Sequence, residues 1–203
     1  MSVTLIDYGL GNIRAFINIY RRLNIPVNVA QTVSQLKTAE RIILPGVGAF
    51  DWAMDCLDKS GMRDCLDELV QGEGRPVLGV CVGMQIMGER SEEGLRQGLG
   101  WFNAEVKQLP VNATNQSVQL PHMGWNRVKA SKEGLFACIE DPYYYFLHSY
   151  HFAAGDSAHV LAVANYHGGF AAAVNKGNIF GVQFHPEKSH HWGVQLLKNF
   201  AEL

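Results

Sequence analysis

The sequence predicts an α/β fold, with a mixed, mostly parallel central sheet flanked by helices and an additional β-rich portion in the second half. Three observations predict it. Over the first ninety residues, short apolar runs alternate with amphipathic helical patterns, as in parallel strands joined by crossover helices. After residue 100 the texture changes to strand-like segments with short links, closed by one amphipathic helix. Hydrophobic residues make up 47% of the 203-residue chain and charged residues 18%, enough apolar material to bury roughly 70% of the surface the unfolded chain exposes. No linker, repeat or low-complexity tract divides the halves, so one domain over residues 1–203 is expected.

The elements follow in order. Residues 3–7 read as a buried strand. Asn12 caps a helix whose apolar residues, Ile13, Phe16, Ile17, Tyr20 and Leu23, keep helical spacing. Residues 26–30 are a strand, 32–39 a short helix, and 41–44 a strand ended by Pro45-Gly46-Val47-Gly48. Helical stretches lie at 52–57 and 62–70. Residues 75–80 form a strand that runs into a helix over 82–89. In the second half, 104–109, 117–120, 126–130, 143–150, 160–166, 170–174 and 179–185 are strands, and 191–202 is the closing helix.

Composition excludes several classes of function. Seventeen Lys and Arg against nineteen Asp and Glu give a net charge of −2, which lacks the basic footprint of a nucleic-acid binder. No eighteen-residue apolar run is present, so no membrane span is expected. The first residues carry no basic segment followed by an apolar one, and the four cysteines make no CxxC pair. A reducing, cytoplasmic setting is expected. Cys56, Cys65 and Cys138 read as small core hydrophobes. His122, His148, His151, His159, His167, His190 and His191 show no metal spacing, and neither a metal nor a cofactor is expected.

The strongest chemical signal is Gly79-Val80-Cys81-Val82-Gly83, a cysteine version of the strand–turn–helix nucleophile elbow. Flanking glycines let the chain turn where side chains would clash. The helix that follows sets free N–H groups beside the sulfur, favouring thiolate. The alternative is a buried structural cysteine in a glycine-rich turn. A base for Cys81 is offered by His185-Pro186-Glu187. In extended chain, residues two apart share a side and lie about 6.6 Å apart, a gap that His185 and Glu187 side chains can close. Glu187 would then fix the imidazole tautomer as the third member of a triad. A solvated strand-end turn is the plainer reading of that tripeptide alone. Pro45-Gly46-Val47-Gly48-Ala49-Phe50 follows a buried strand and suits an oxyanion-binding backbone as well as an ordinary turn. It is not a phosphate loop, since no Gly-Lys-Ser/Thr follows, and Gly9-Leu10-Gly11-Asn12 lacks the third glycine of a dinucleotide fingerprint.

Gly79-Val80-Cys81-Val82-Gly83-Met84-Gln85 with Gly181-Val182-Gln183-Phe184-His185-Pro186-Glu187 resembles the class I (triad) glutamine amidotransferases. Asp7–Asn12, Pro45–Phe50, Pro121-His122-Met123-Gly124-Trp125-Asn126 and Tyr143–Tyr150 narrow the resemblance to the glutaminase subunits of imidazole glycerol phosphate synthases, over nearly the whole chain. The resemblance implies that Cys81, His185 and Glu187 hydrolyse glutamine through a glutamyl thioester. It implies that the N–H groups of Val82 and Val47 hold the oxyanion, and that Gly46, Gly48, Gln85, His148, Ser149 and Tyr150 bind the substrate. It also implies a heterodimer with a (βα)8-barrel cyclase subunit, docked at Asn12, Met123, Trp125 and Lys188, which receives the ammonia through a channel for histidine biosynthesis. A Gly46-Val47-Gly48 strand is the natural switch that keeps hydrolysis slow until the acceptor nucleotide binds. Met123 and Trp125, in a glycine-flanked loop, suit an interface hot spot. Two rivals stand beside this reading. One is another triad enzyme, such as the glutaminase of pyridoxal phosphate synthesis or a γ-glutamyl hydrolase. The other is a binding module that kept the fold without the activity.

Overall fold

A computed structural model describes residues 2–110 and 119–203. Its centre is a nine-stranded sheet in the order β2-β1-β3-β4-β12-β11-β10-β7-β8. Five strands are mutually parallel: β1 (Val3–Ile6), β2 (Val27–Ala30), β3 (Arg41–Leu44), β4 (Val77–Val80) and β12 (Ile179–Val182). Every residue of β1 and β4 is buried, as expected of strands covered on both faces. The remaining strands, β7 (His122–Ala130), β8 (Tyr143–His148), β10 (Val160–Asn165) and β11 (Gly169–Lys176), extend the sheet antiparallel. A second sheet of β5 (Arg90–Ser91), β6 (Ala104–Gln108) and β9 (Tyr150–Ala154) stands apart.

Helix α1 (Ile13–Arg22) begins at Asn12, whose side chain accepts the Ala15 N–H. It buries Phe16, Ile19 and Tyr20, and the Tyr20 hydroxyl donates to the Leu197 carbonyl on α6 (His190–Glu202) at 3.1 Å. Thr32 caps the short α2 (Val33–Leu36). Helix α3 (Phe50–Ser60) ends at Gly61 in a left-handed conformation, φ 70°. The helix expected over 62–70 is α4 (Arg63–Asp67), widened into a π turn over Glu68–Gly72.

The structure corrects several expectations. The helix expected over 82–89 is one turn, α5 (Val82–Gln85). The carbonyls of Ile86, Met87 and Gly88 accept N–H groups of Leu99, Phe102 and Gly100 rather than those of a continuing helix. Of the strand expected at 117–120, Ser117 and Val118 lie outside the described residues, and Gln119 and Leu120 are not in a strand. Met123 and Trp125 sit on β7, not in a loop, because β7 pairs with β8 from His122↔His148 onward. The strand expected over 143–150 is two strands in different sheets, parted at Ser149. The strand expected over 179–185 stops at Val182. Gly46-Val47-Gly48 is an irregular link, since Gly48 at φ +95° breaks an extended path. Cys138 is exposed rather than core: Leu135, Phe136 and Ile139 turn inward while Cys138 adopts φ 59° and faces out.

Candidate active site

The ends of β3, β4 and β12 converge. β4 lies between the other two in parallel register, Gly79 facing Leu44 on one side and Gly181 on the other. The Cys81 N–H donates to the Val182 carbonyl at 2.8 Å, so the residues after β12 run beside the cysteine. This is where a parallel sheet presents its ligand sites.

Cys81 bridges β4 and α5 at φ 54°, ψ −114°, a conformation that side-chain-bearing residues rarely adopt. The strain falls on the cysteine, and the flanking glycines serve close packing instead. A Cβ on Gly79 would lie 2.6 Å from the Gly83 carbonyl oxygen, and one on Gly83 would strike the Leu44 carbonyl. Gly46 is wedged the same way against the Gly83 nitrogen. As the first residue of α5, Val82 has no acceptor for its N–H within the helix.

His185 follows the strand at φ −100° and ψ 95°, and Pro186–Lys188 form a 3-10 turn. That turn, not extended chain, brings His185 Nδ1 to 2.9 Å from Glu187 Oε1. Both side chains are 2% exposed. The backbone of His185 is clamped from β8. Its N–H donates to the Tyr145 carbonyl at 2.9 Å. The Tyr145 N–H donates to Ser189 Oγ, which in turn donates to the His185 carbonyl at 2.6 Å. Burial alone would lower the His185 pKa, but hydrogen bonds and charge from Cys81 and Glu187 outweigh it and push the pKa up to about 10.

Val47, Gly48, Cys81, Val82, Gln85, Glu93, Pro121, Leu147, His148, Ser149, Tyr150 and His185 line one cavity of about 310 Å³, the size of a small-molecule site. All the expected substrate residues but Gly46 are there; Gly46 packs against α5 behind the wall. Glu187 sits behind His185, outside the lining. Glu93 is a residue the sequence does not single out. It lines the cavity while its Oε2 accepts the Phe50 N–H at 2.8 Å at the start of α3, a role no sequence spacing marks. Sequence reasoning also misses Gln183 and Ser189. Counting back in twos from Glu187 and His185 reaches Gln183, the one signal that could have found it.

His148 belongs to a buried chain of polar groups. Its Nδ1 donates to the Tyr150 carbonyl at 2.8 Å, so its Nε2 is the acceptor that meets His122 Nδ1 at 3.1 Å. Burial pushes the His122 pKa down to about 4. Burial also leads in lowering that of His148, to about 3, with nearby imidazoles adding to it. Both rings are neutral at pH 7.

The expected interface residues lie beyond the cavity. β7 pairs Trp125 with Tyr145 and Met123 with Leu147. Along β8, Tyr144, Phe146 and His148 turn inward and Tyr143, Tyr145 and Leu147 outward. Trp125 stacks on His190 with centroids 4.9 Å apart and planes within 6°, and on Tyr143 at 5.5 Å. Lys188 Nζ lies 5.6 Å over the Tyr145 ring. Met123 is 66% exposed, and Asn12 is exposed at the start of α1. Among the described residues no group of His, Cys, Asp or Glu has the arrangement of a metal site, and no helix is long and apolar enough to cross a membrane.

Known proteins share this architecture. Residues 4–203 match the family of class-I glutamine amidotransferases. The imidazole glycerol phosphate synthase subunit HisH of Bdellovibrio bacteriovorus is 51% identical over 99% of this chain and 100% of its own length. The subunit of the same name from Leptospira interrogans is 47% identical with the same coverage. A crystal structure of a glutamine amidotransferase superposes with a TM-score of 0.76 at 18% identity over the full length of both chains. A structure of PurLQS from Thermotoga maritima gives 0.72 at 15% identity over 99% of this chain and 97% of that one. At such identities the two structures speak for the fold alone.

Proposed function

The chain belongs to the class I glutamine amidotransferases, and from that premise we propose that it is the glutaminase subunit of an imidazole glycerol phosphate synthase. The observation that carries the chemistry is a cysteine on a strained elbow sharing one cavity with an imidazole that a buried carboxylate orients. The observation that carries the specific assignment is full-length identity near 50% to subunits bearing that name.

Cys81 Sγ attacks the side-chain amide carbon of glutamine. His185, protonated at neutral pH, gives its proton to the amide nitrogen, the C–N bond breaks, and ammonia leaves with a glutamyl thioester behind. The now neutral His185 takes a proton from water. The hydroxide adds to the thioester, the C–S bond breaks with thiolate and imidazolium restored, and the new γ-carboxylic acid loses its proton to water and leaves as glutamate. The Val82 N–H, at the start of α5, faces the developing oxyanion. The second donor is the Val47 N–H. That N–H belongs to the Gly46–Val47 peptide, so the flip that aims it into the cavity turns about Gly46 ψ and Val47 φ.

The ammonia goes to a (βα)8-barrel cyclase subunit docked on the face that carries Asn12, Met123, Trp125 and Lys188. Free ammonia is largely protonated at neutral pH and then no longer nucleophilic, so a synthase gains from direct delivery. The whole chain serves as one catalytic domain, in a cytoplasmic heterodimer. Glutamate release tests this in three settings: the protein alone, with the cyclase subunit, and with that subunit plus its nucleotide substrate. A missing oxyanion donor costs about 10²–10³ in rate, and release is expected to rise by about that factor only in the third setting. Rapid release by the protein alone would remove the gate.

Trp125→Ala is expected to weaken the cyclase complex by on the order of 2 kcal/mol, about thirtyfold in Kd, because it removes the centre of the aromatic face. The isolated fold should keep its circular dichroism. An unchanged titration would take Trp125 out of the interface.

A further inference from the structure

We infer that Gln183 is a catalytic hydrogen-bond donor to the Cys81 sulfur, held in its donating orientation by the Tyr150 backbone carbonyl acting through Gln85. This deepens the glutaminase reading and rests on it for the identity of the nucleophile.

The direction of each bond follows from one atom that has no choice. The Tyr150 carbonyl can only accept. Gln85 approaches it at 3.0 Å, so the amide nitrogen of Gln85 must face it. The same nitrogen reaches Gln183 at 3.0 Å, where only an oxygen can receive its second N–H. The amide nitrogen of Gln183 is thereby left facing Cys81 Sγ, at 3.7 Å. Gln183 is fully buried. Its oxygen is occupied, so a turned side chain would set N–H against N–H at Gln85. The His122–His148 pair closes on the same Tyr150 carbonyl from its other side, which keeps that carbonyl in place.

A fixed N–H beside a sulfur favours its anionic form, as hydrogen bonds to charged groups do. The N–H of Gln183 acts whether or not substrate is bound. The His185 proton, by contrast, departs with ammonia. Between the loss of ammonia and the activation of water, while His185 carries no charge, the Gln183 amide is the donor that stays beside the sulfur, and it is in place when the sulfur leaves. The other titratable groups around the sulfur are His185, Tyr8 from the loop after β1, and His148, Tyr150 and Glu93 in the cavity wall.

The test reads the thiol without needing glutamine. Iodoacetamide alkylation of the Cys81 peptide is followed by mass against pH, which separates it from alkylation at exposed Cys138 and half-buried Cys56. In Gln183→Leu the midpoint is expected to rise by about one pH unit, with roughly tenfold slower alkylation on the acid side. Gln85→Glu leaves Gln183 in place but offers it an acceptor, so Gln183 turns its nitrogen away from the sulfur. At least that shift is expected there, the new carboxylate adding its own charge near the sulfur, and that variant keeps the test open should Gln183→Leu fold poorly. Superimposable profiles for wild type and a folded Gln183→Leu would overturn the donor. A shift in Gln183→Leu without one in Gln85→Glu would overturn the orienting path. Glutamate release by wild type is measured in parallel with the cyclase subunit and its nucleotide. Its absence beside a Gln183-dependent midpoint would sink the glutaminase reading and leave the donor standing.

Discussion

Cys81→Ala is expected to abolish glutamate release while leaving the fold intact, and Cys81→Gly to be equally inactive but more stable than Cys81→Ala. The loss of activity follows from removing the atom positioned to form the thioester: among the described residues no other thiol, and no hydroxyl but those of Ser149 and Tyr150, lies in the cavity wall. Loss of a covalent nucleophile removes essentially all of the rate that the triad supplies, on the order of 10⁴-fold or more. The stability order follows from the backbone. Residue 81 sits at φ 54°, ψ −114°, where a Cβ costs about 1–3 kcal/mol. Glycine escapes that cost but gives up about 0.5–1 kcal/mol in unfolded-state entropy. The net gain of Cys81→Gly over Cys81→Ala is about 1 kcal/mol, measured by urea unfolding. A Cys81→Gly variant about 0.5–1 kcal/mol less stable than Cys81→Ala would mean that the elbow stores no strain. Residual glutamate release in either variant would move the nucleophile elsewhere.

The parallel half of the fold is legible because its inner strands are buried and read as short apolar runs: the expected strand at 41–44 matches to the residue, that at 3–7 differs by one at an end, and so does that at 26–30, though it is the sheet edge with Asn28 exposed. The antiparallel half is harder to read. Whether Ser149 continues a strand or ends it depends on which sheet receives Tyr150, and that is a tertiary choice: β8 pairs with β7 and β9 with β6. Likewise, nothing local tells the chain to leave α5 after one turn. The reason is a set of carbonyls claimed by residues 99–102. At the site, spacing points to Cys81, His185 and Glu187, but extended chain is the wrong reason for His185 to meet Glu187: a 3-10 turn brings them together. Gln183 escapes notice for the opposite reason. A neutral amide just past an apolar strand carries no charge or reactivity to single it out, and its contact with sulfur is what gives it a role.

Glu187→Gln is expected to cut glutamate release by about 10²–10⁴-fold and to move the alkaline limb of its pH profile toward neutrality. The substitution keeps shape and removes charge. Glu187 Oε1 holds His185 Nδ1 at 2.9 Å, and Oε2 is buried with no partner among the described residues. Burial works against a proton on His185, and the bonds and charges of Cys81 and Glu187 keep it there up to about pH 10. With the Glu187 charge gone, burial regains ground and the His185 pKa falls. Since the imidazolium is the acid that releases ammonia, activity then fails at lower pH than in the wild type. Stability carries the same signature. A pKa raised in the folded state contributes stability that is complete below the unfolded value of about 6.5 and is lost as pH rises through about 10. The stability difference between wild type and Glu187→Gln should therefore be constant below the variant's lowered His185 pKa and shrink between that value and about pH 10, by about 1.4 kcal/mol for each unit of His185 pKa that the variant loses. The slope is the diagnostic, because relieving an unpartnered buried oxygen adds a constant of its own. A pH-independent difference, with an unmoved alkaline limb, would show that Glu187 orients the ring without holding its proton.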